Sequence, residues 1–281
     1  MSIKATEFLK SCKMPGALPH ILKKANSIVS EPNIPQARMS RLLTSDPVIT
    51  ARILKSANSA LNRGKNQIGE ISKAITSLGL KQMRGLIKSI ESVESFSDEV
   101  NEYLTLEDFW KRSIAVGTAS RIIDRLLGGN SDEIFTAGLL HDYGRLIILM
   151  NSDKLPIVDL LKECNNTKEL VHKNERKMAG FNHMELADTL FAEWEMPSVI
   201  REVAAFHHSP VLAVRFRYET AIVHIADVIC SAMELGENGD FFVPAYDENA
   251  RRLLNLATDQ LDYICEETSH QVDERLKVLD S

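Results

Sequence analysis

The chain has 281 residues, of which 44% are hydrophobic and 26% are charged, the balance of an ordinary soluble globular protein. This length is enough to bury one large core or two smaller ones. No apolar run approaches the roughly 20 residues needed to cross a bilayer, and residues 1–7 lack the basic and apolar segments of a signal peptide. We therefore expect a cytoplasmic protein that does not bind a membrane.

The four cysteines are far apart and include no Cys-x-x-Cys pair; they are Cys12, Cys164, Cys230 and Cys265. This spacing favours reduced thiols in a cytoplasm and argues against a zinc ribbon or a disulfide framework.

Charge is divided unevenly along the chain, although the formal net charge is -6. Residues 1–90 carry a balance of +11, whereas residues 91–281 carry -17. Such asymmetry indicates two subdomains. Either the two halves attract and dock, or the basic half meets an acidic partner or nucleic acid. Docking is favoured, and nucleic acid is an unlikely partner, because the basic residues are scattered and no set of stacking aromatic residues accompanies them.

Apolar residues recur at three- and four-residue spacing, which predicts an all-α fold. Asp46 and Pro47 form a helix start, with Asp as the cap and Pro in the first turn. Pro19 and Pro35 are similar early-helix prolines. Gly79 closes one helix, and another is predicted over residues 80–93.

Residues 95–105 are polar and acidic, and we place a subdomain junction there. A helix is predicted from Trp110 to about Leu127. Ser131 then caps a single helix that runs through His141 towards Met150. Further helices are predicted over 155–164, 168–178, 183–195, 198–208, 218–235 and 257–279, with a loop at 236–240. The predicted fold has two lobes and three segments: 1–100, 101–236, and 237–281, the last packing on the second.

Two doublets, His141-Asp142 and His207-His208, are the most informative residues for function. Neutral imidazole and carboxylate are the usual ligands of Zn, Mn and Fe where thiolates are absent. Adjacent residues on a helix point about 100° apart, so each doublet is expected to reach two neighbouring positions or one metal from two flanks. His183 begins an amphipathic helix. Asp227 lies in an apolar run and needs a cation or hydrogen-bond partners.

A single histidine on an apolar helix is more often a core residue than a ligand, so it is the ordered set that indicates a metal site. His20, His172 and His270 have polar surroundings and are interpreted as surface residues. His224 is expected to pack in the core or to lie behind the ligands.

The order His-Asp, His, His-His, Asp resembles that of the HD superfamily of metal-dependent phosphohydrolases. The closer resemblance is to its HDOD branch, the HD-related output domains of bacterial signalling proteins, over about residues 15–235. The segments that carry it are LTSDP at 43–47, LKSANSA at 54–60, AITSLG at 74–79, FWKRS at 109–113, AGLLHDYGR at 137–145, WEMP at 194–197 and the histidines at 207–208.

The resemblance implies that residues 101–236 form an HD-like helical bundle with a metal site. Its implied ligands are His141, Asp142, His183, His207, His208 and Asp227. Asp142 and Arg145 are the candidate catalytic residues. HDOD proteins are mostly regarded as regulatory modules with incomplete ligand sets. Because the HDOD-like region and a C-terminal helix account for the chain and no fused sensor or output domain is visible, separate signalling proteins are the expected partners, with a phosphoester as the candidate ligand.

Working HD enzymes have a histidine where this chain has Arg112, and commonly a lysine where it has Arg145. A guanidinium cannot donate a lone pair, and about 5 Å from a divalent ion it costs roughly 7 kcal/mol at an effective dielectric near 20. Arg112 could instead pair with Asp142 or Asp227.

Asp142 and the three histidines at 183, 207 and 208 suffice for one Fe, Mn or Zn ion, and a metal-free site is the open alternative. Three functions follow: a regulatory module, a metal-dependent phosphohydrolase acting on a nucleotide or other phosphoester, and binding of nucleic acid or an acidic partner by the basic half.

Overall fold

The computed structural model describes residues 3–31, 33–60, 67–93 and 96–280. Across these ranges the regular structure is helical, apart from one isolated parallel bridge between Ala17 and Ser92. The prediction of an all-α fold is therefore confirmed. None of the described helices is both long enough and apolar enough to cross a membrane.

The first five helices are α1 (Ile3–Leu9), α2 (Pro19–Ile28), α3 (Gln36–Leu43), α4 (Pro47–Ala60) and α5 (Ile71–Ser89). The start of α4 is the one predicted, because Asp46 Oδ1 accepts hydrogen bonds from the backbone N–H groups of Val48 and Ile49 at 2.7 and 2.9 Å. Gly79 has φ +71° and divides α5, as its position predicted. We call α2–α5 the N-terminal lobe.

The remaining helices are α6 (Asp98–Asn101), α7 (Leu106–Leu126), α8 (Glu133–Leu140), α9 (Tyr143–Leu149), α10 (Ile157–Thr167), α11 (Val171–Ala179), α12 (His183–Glu193), α13 (Ser198–Phe206), α14 (Arg217–Ala232), α15 (Glu248–Leu254) and α16 (Thr258–Asp280). A 3₁₀ turn, Pro210–Leu212, precedes α14. The helices α1, α6 and α15 were not predicted from the sequence. We call α7–α16 the C-terminal lobe; α7 lies at its centre, packed against α8, α14 and α16.

The prediction of one continuous helix from residue 131 to Met150 was wrong. The helix ends at Leu140, a new one begins at Tyr143, and Asp142 has the non-helical angles φ -97°, ψ 14°. His141 and Asp142 therefore lie at a turn. Every residue from 134 to 149 is buried, so the apolar pattern continues through this break and does not mark it.

The two lobes meet at Asp46, which is fully buried. Its Oδ2 accepts hydrogen bonds from Leu18 N–H at 3.1 Å and from the indole N–H of Trp110, on α7, at 2.7 Å. One carboxylate thus caps α4 and joins it to the centre of the C-terminal lobe. The helix α1, which precedes the N-terminal lobe in the chain, packs on α12 of the C-terminal lobe.

Candidate metal centre

Four side chains converge on one point in the C-terminal lobe: Asp142, His183, His207 and His208. One potential ligand atom from each lies within 4.8 Å of those of the other three. They come from three places in the chain: the α8–α9 turn, the first residue of α12, and the segment that follows α13.

The rings of His183 and His207 are oriented by hydrogen bonds at Nδ1. His183 Nδ1 lies 2.6 Å from Glu175 Oε2, and His207 Nδ1 lies 3.1 Å from the carbonyl oxygen of Ala204. Because these partners are acceptors, the ring proton belongs on Nδ1 and the lone pair on Nε2. Both Nε2 atoms face Asp142 Oδ1, at 3.2 and 3.6 Å. This is how proteins orient metal-ligating histidines.

Several buried atoms at this site have no hydrogen-bond partner among the described residues. They are Asp142 Oδ1, His141 Nε2 and His208 Nε2. An unsatisfied buried polar atom is costly, and all three can offer a lone pair. Together with the nitrogen and oxygen character of the set, this fits a transition metal ion.

His208 is partly exposed and is the candidate ligand nearest to solvent. Its ring stacks on that of His172, with centroids 4.0 Å apart and planes 15° apart. The interpretation of His172 as a surface residue was therefore wrong. Burial lowers the pKa of His172 to about 4, so its ring is neutral where it lines the site beside His208.

Arg112 is buried and bound to Asp227. Its Nη2 donates to Asp227 Oδ1 at 2.7 Å and to the Asp227 carbonyl oxygen at 2.6 Å. His141 Nε2 lies 3.5 Å from the same Oδ1. The sequence left open whether Arg112 pairs with Asp142 or with Asp227, and in the structure it pairs with Asp227.

Asn238 binds the other oxygen of Asp142, since its Nδ2 donates to Oδ2 at 2.8 Å. The loop that carries it lies close to Arg112: a Cβ added at Gly236 (φ +75°) would be 2.4 Å from Arg112 N. Only glycine permits this approach. The Asn238 amide thus binds the Asp142 oxygen that faces His141, and the Arg112 guanidinium binds Asp227.

Arg145 lies behind the ligands, fully buried. Its Nη1 donates to Asp240 Oδ2 at 2.7 Å, and its Nε is 3.4 Å from Glu175 Oε1. Because Glu175 binds His183 Nδ1, the Arg145 guanidinium supports the candidate ligand His183 through Glu175. The roles of Glu175, Asn238 and Asp240 were not predicted from the sequence.

His224 also lies behind the ligands. Its Nδ1 is 2.7 Å from the carbonyl oxygen of His207, and its Nε2 accepts from Asp247 N–H at 2.7 Å. It therefore fixes the backbone of a ligand rather than binding at the centre. His20 and His270 are exposed, as predicted.

Charge within this cluster is not balanced. Burial by itself would raise the pKa values of Asp142 and Asp227, but Arg145 and His141 lower that of Asp142, and Arg112 and His141 lower that of Asp227. Burial lowers the pKa values of His207 and His208, so these two rings are neutral. With Glu175 and Asp240, four buried carboxylates face two guanidiniums and His141, whose pKa burial would lower but Asp142 and Asp227 raise, so negative groups are in excess.

A family model described as the HDOD domain matches residues 16–210. The chain belongs to the HDOD family. The match covers the N-terminal lobe and the C-terminal lobe as far as His207 and His208, and it ends before α14–α16.

An uncharacterized protein of Treponema pallidum (strain Nichols) is 23% identical to this HDOD protein over 195 residues, which are 68% of this chain and 37% of the relative. The chain thus spans little more than a third of that relative.

Solved structures share the fold. The MmoQ response regulator of Methylococcus capsulatus (fragment 20–298) is 18% identical, with a TM-score of 0.69 over 89% of this chain and 95% of that one. An HDOD domain protein of unknown function from Geobacter sulfurreducens is 22% identical, with a TM-score of 0.55 over 99% and 96% of the two chains.

Proposed function

We propose that this HDOD protein is a regulatory module with a one-metal site. Asp142, His183, His207 and His208 would hold a single Fe, Mn or Zn ion. Arg112 and Asn238 take the place of a second ion beside His141 and Asp227. The module would act by binding a separate signalling protein rather than by turnover.

The observation that carries the proposal is the Arg112–Asp227 ion pair beside four converging ligand atoms. A guanidinium already supplies positive charge to Asp227 and repels a cation placed there. Among the described residues no cationic side chain is bonded to Asp142 Oδ1, and a divalent ion there would offset the excess of negative groups.

A bound ion could lower the pKa of a coordinated water and generate hydroxide. Phosphoester hydrolysis also requires charge stabilisation of the transition state. In this protein the nearby guanidiniums are held by Asp227 and by Asp240, at 2.7 Å in each case. This supports regulation over phosphohydrolysis, and the MmoQ protein of the same fold is named a response regulator.

The test is the metal content of the protein purified without chelator, measured by elemental analysis. We expect one equivalent in the wild type, none in His207→Ala, and two in Arg112→His, which frees Asp227 and adds an imidazole. Arg125→His, an exposed substitution on the same helix, is the matched control and should retain one equivalent.

Phosphoester hydrolysis, assayed with Mn, should be absent in the wild type. Hydrolysis in the wild type that is lost in Asp142→Ala would favour the phosphohydrolase instead. A wild type without metal, or an Arg112→His protein that still binds one equivalent, would contradict the one-metal proposal.

A further inference from the structure

A second polar site lies between the lobes, away from the metal centre. It is a cleft of about 740 Å³ walled by α3 of the N-terminal lobe, by α7 and α8, and by α16. Volumes of this order hold small-molecule ligands. Its α16 wall lies beyond residues 16–210, so the cleft is not formed by the family-matching segment alone.

Four arginines line this cleft: Arg41, Arg121, Arg125 and Arg275. Arg275 is 8% exposed, and its Nη1 has no hydrogen-bond partner among the described residues. Arg121 Nη2 donates to Gln271 at 3.0 Å, but its buried Nε likewise lacks a partner in the part of the chain that the structure describes. A buried guanidinium with a free N–H carries a desolvation cost that only an acceptor relieves.

Phe135 holds two of these arginines in place. The guanidinium carbon of Arg275 lies 4.5 Å from the ring centroid, and that of Arg121 lies 5.2 Å from it. The two cations therefore share one aromatic ring, although like charges repel. Burial and the neighbouring Arg121 and Arg41 lower the pKa of Arg275, while the group stays charged because guanidinium is so weak an acid.

Over the ranges that the structure describes, the acidic residues of the cleft form no ion pair with Arg41, Arg121 or Arg275. Glu267 accepts from Gln271 at 2.6 Å, Glu274 pairs with Lys277 at 3.3 Å, and Asp132 lies 4.0 Å from the exposed Arg125. Arg41 has no ion-pair partner within the described part of the chain.

We propose that this cleft binds a phosphate-bearing small molecule of nucleotide size, with Arg41, Arg121 and Arg275 as the phosphate ligands. Planar guanidiniums match phosphate oxygens by paired hydrogen bonds. Because Arg41 belongs to the N-terminal lobe and Arg275 to α16, the bound anion would offset like charges contributed by two parts of the molecule.

The test is calorimetric titration of the full-length protein, as purified, with sodium pyrophosphate and separately with ATP. The wild type should bind at least one of them saturably. Arg41→Gln, at an exposed side chain that folding tolerates, should weaken binding about tenfold or more, the value of one charge-assisted hydrogen bond. Arg275→Met should abolish it.

Arg251→Met, an exposed arginine on α15, and His207→Ala, at the metal centre, should bind like the wild type. Absence of binding by the wild type would overturn the proposal. So would equal binding by Arg41→Gln, or binding lost in His207→Ala, which would place the anion at the metal centre. Binding of a DNA duplex but of neither small probe would replace the small ligand with a nucleic acid.

Discussion

In the metal-free protein, protonation of a few buried side chains determines how far the free energy of unfolding falls in acid. Burial lowers the pKa values of His207 and His172 to about 4, from an ordinary value of 6.5. Burial alone would raise the pKa of Glu175, but His183 and Arg145 outweigh it and lower that pKa to about 2. All three groups disfavour proton uptake by the folded state.

The unfolded chain therefore binds more protons than the folded one as pH falls from 6.5 to 4, and the free energy of unfolding decreases. Glu175 extends this loss below pH 4.5. His141 opposes part of it: burial alone would lower its pKa, but Asp142 and Asp227 raise it. We expect urea unfolding of chelator-treated protein to show about 2 kcal/mol less stability at pH 5 than at pH 7.5. Equal or greater stability at pH 5 would contradict this balance.

At the scale of elements, the close approach of α9 and α12 brings two ligands together. A Cβ at Gly144 would lie 2.0 Å from the carbonyl oxygen of His183 and 3.0 Å from Ala187 N. Both neighbours are backbone atoms, so a methyl group cannot be accommodated by a side-chain rotation. The spacing between Asp142 and His183 thus depends on a residue that binds nothing.

Gly144→Ala should therefore destabilise the protein by about 1–3 kcal/mol, the cost of overpacking a core, and lower its metal content. Gly85→Ala is the matched control, because nothing lies within 4 Å of its Cβ. That change should stabilise α5 by about 0.5–1 kcal/mol. Thermal unfolding and elemental analysis of the two variants measure both effects. If Gly144→Ala retains metal and stability, the contact does not position the ligands.

The sequence predicted helices best where local chemistry marks their ends. Asp46 and Pro47 specify the start of α4, and Gly79 the break in α5, because caps and positive φ depend on neighbouring residues alone. His172 was misassigned because its neighbours are charged, although His172 and Glu175 are spaced to share one helix face. Asn238 and Asp240 lie in a loop without periodicity, and only the tertiary fold brings them to Asp142 and Arg145.

For the whole molecule, the buried carboxylate of Asp46 couples the two lobes. Asp46→Asn keeps a side-chain oxygen to cap α4 but replaces the other with an NH₂ group that faces two donors. We expect a loss of about 2–4 kcal/mol, the cost of unsatisfied buried groups. Circular dichroism and Trp fluorescence should change together in urea if the lobes unfold as one unit.

Asp247→Asn is the control for that change. Asp247 Oδ1 caps α15 by accepting from Asn249 N and Ala250 N, and Asn caps as well as Asp. The stability of the Asp247→Asn protein should stay within about 0.5 kcal/mol of that of the wild type. An Asp46→Asn protein as stable as this control would show that the contacts to Leu18 and Trp110 do not couple the lobes.

The bridge between Ala17 and Ser92 joins the two ends of the N-terminal lobe. Ala17 N–H donates to the Glu91 carbonyl at 2.9 Å, and Val93 N–H donates to the Ala17 carbonyl at 3.0 Å. Since α1 packs on α12, the chain enters the N-terminal lobe beside Ala17 and leaves it beside Ser92. The lobe is thus an insertion between α1 and the C-terminal lobe, and its two connections run side by side. Because two backbone hydrogen bonds join them, the lobe is tethered at two adjacent points and not through a single linker.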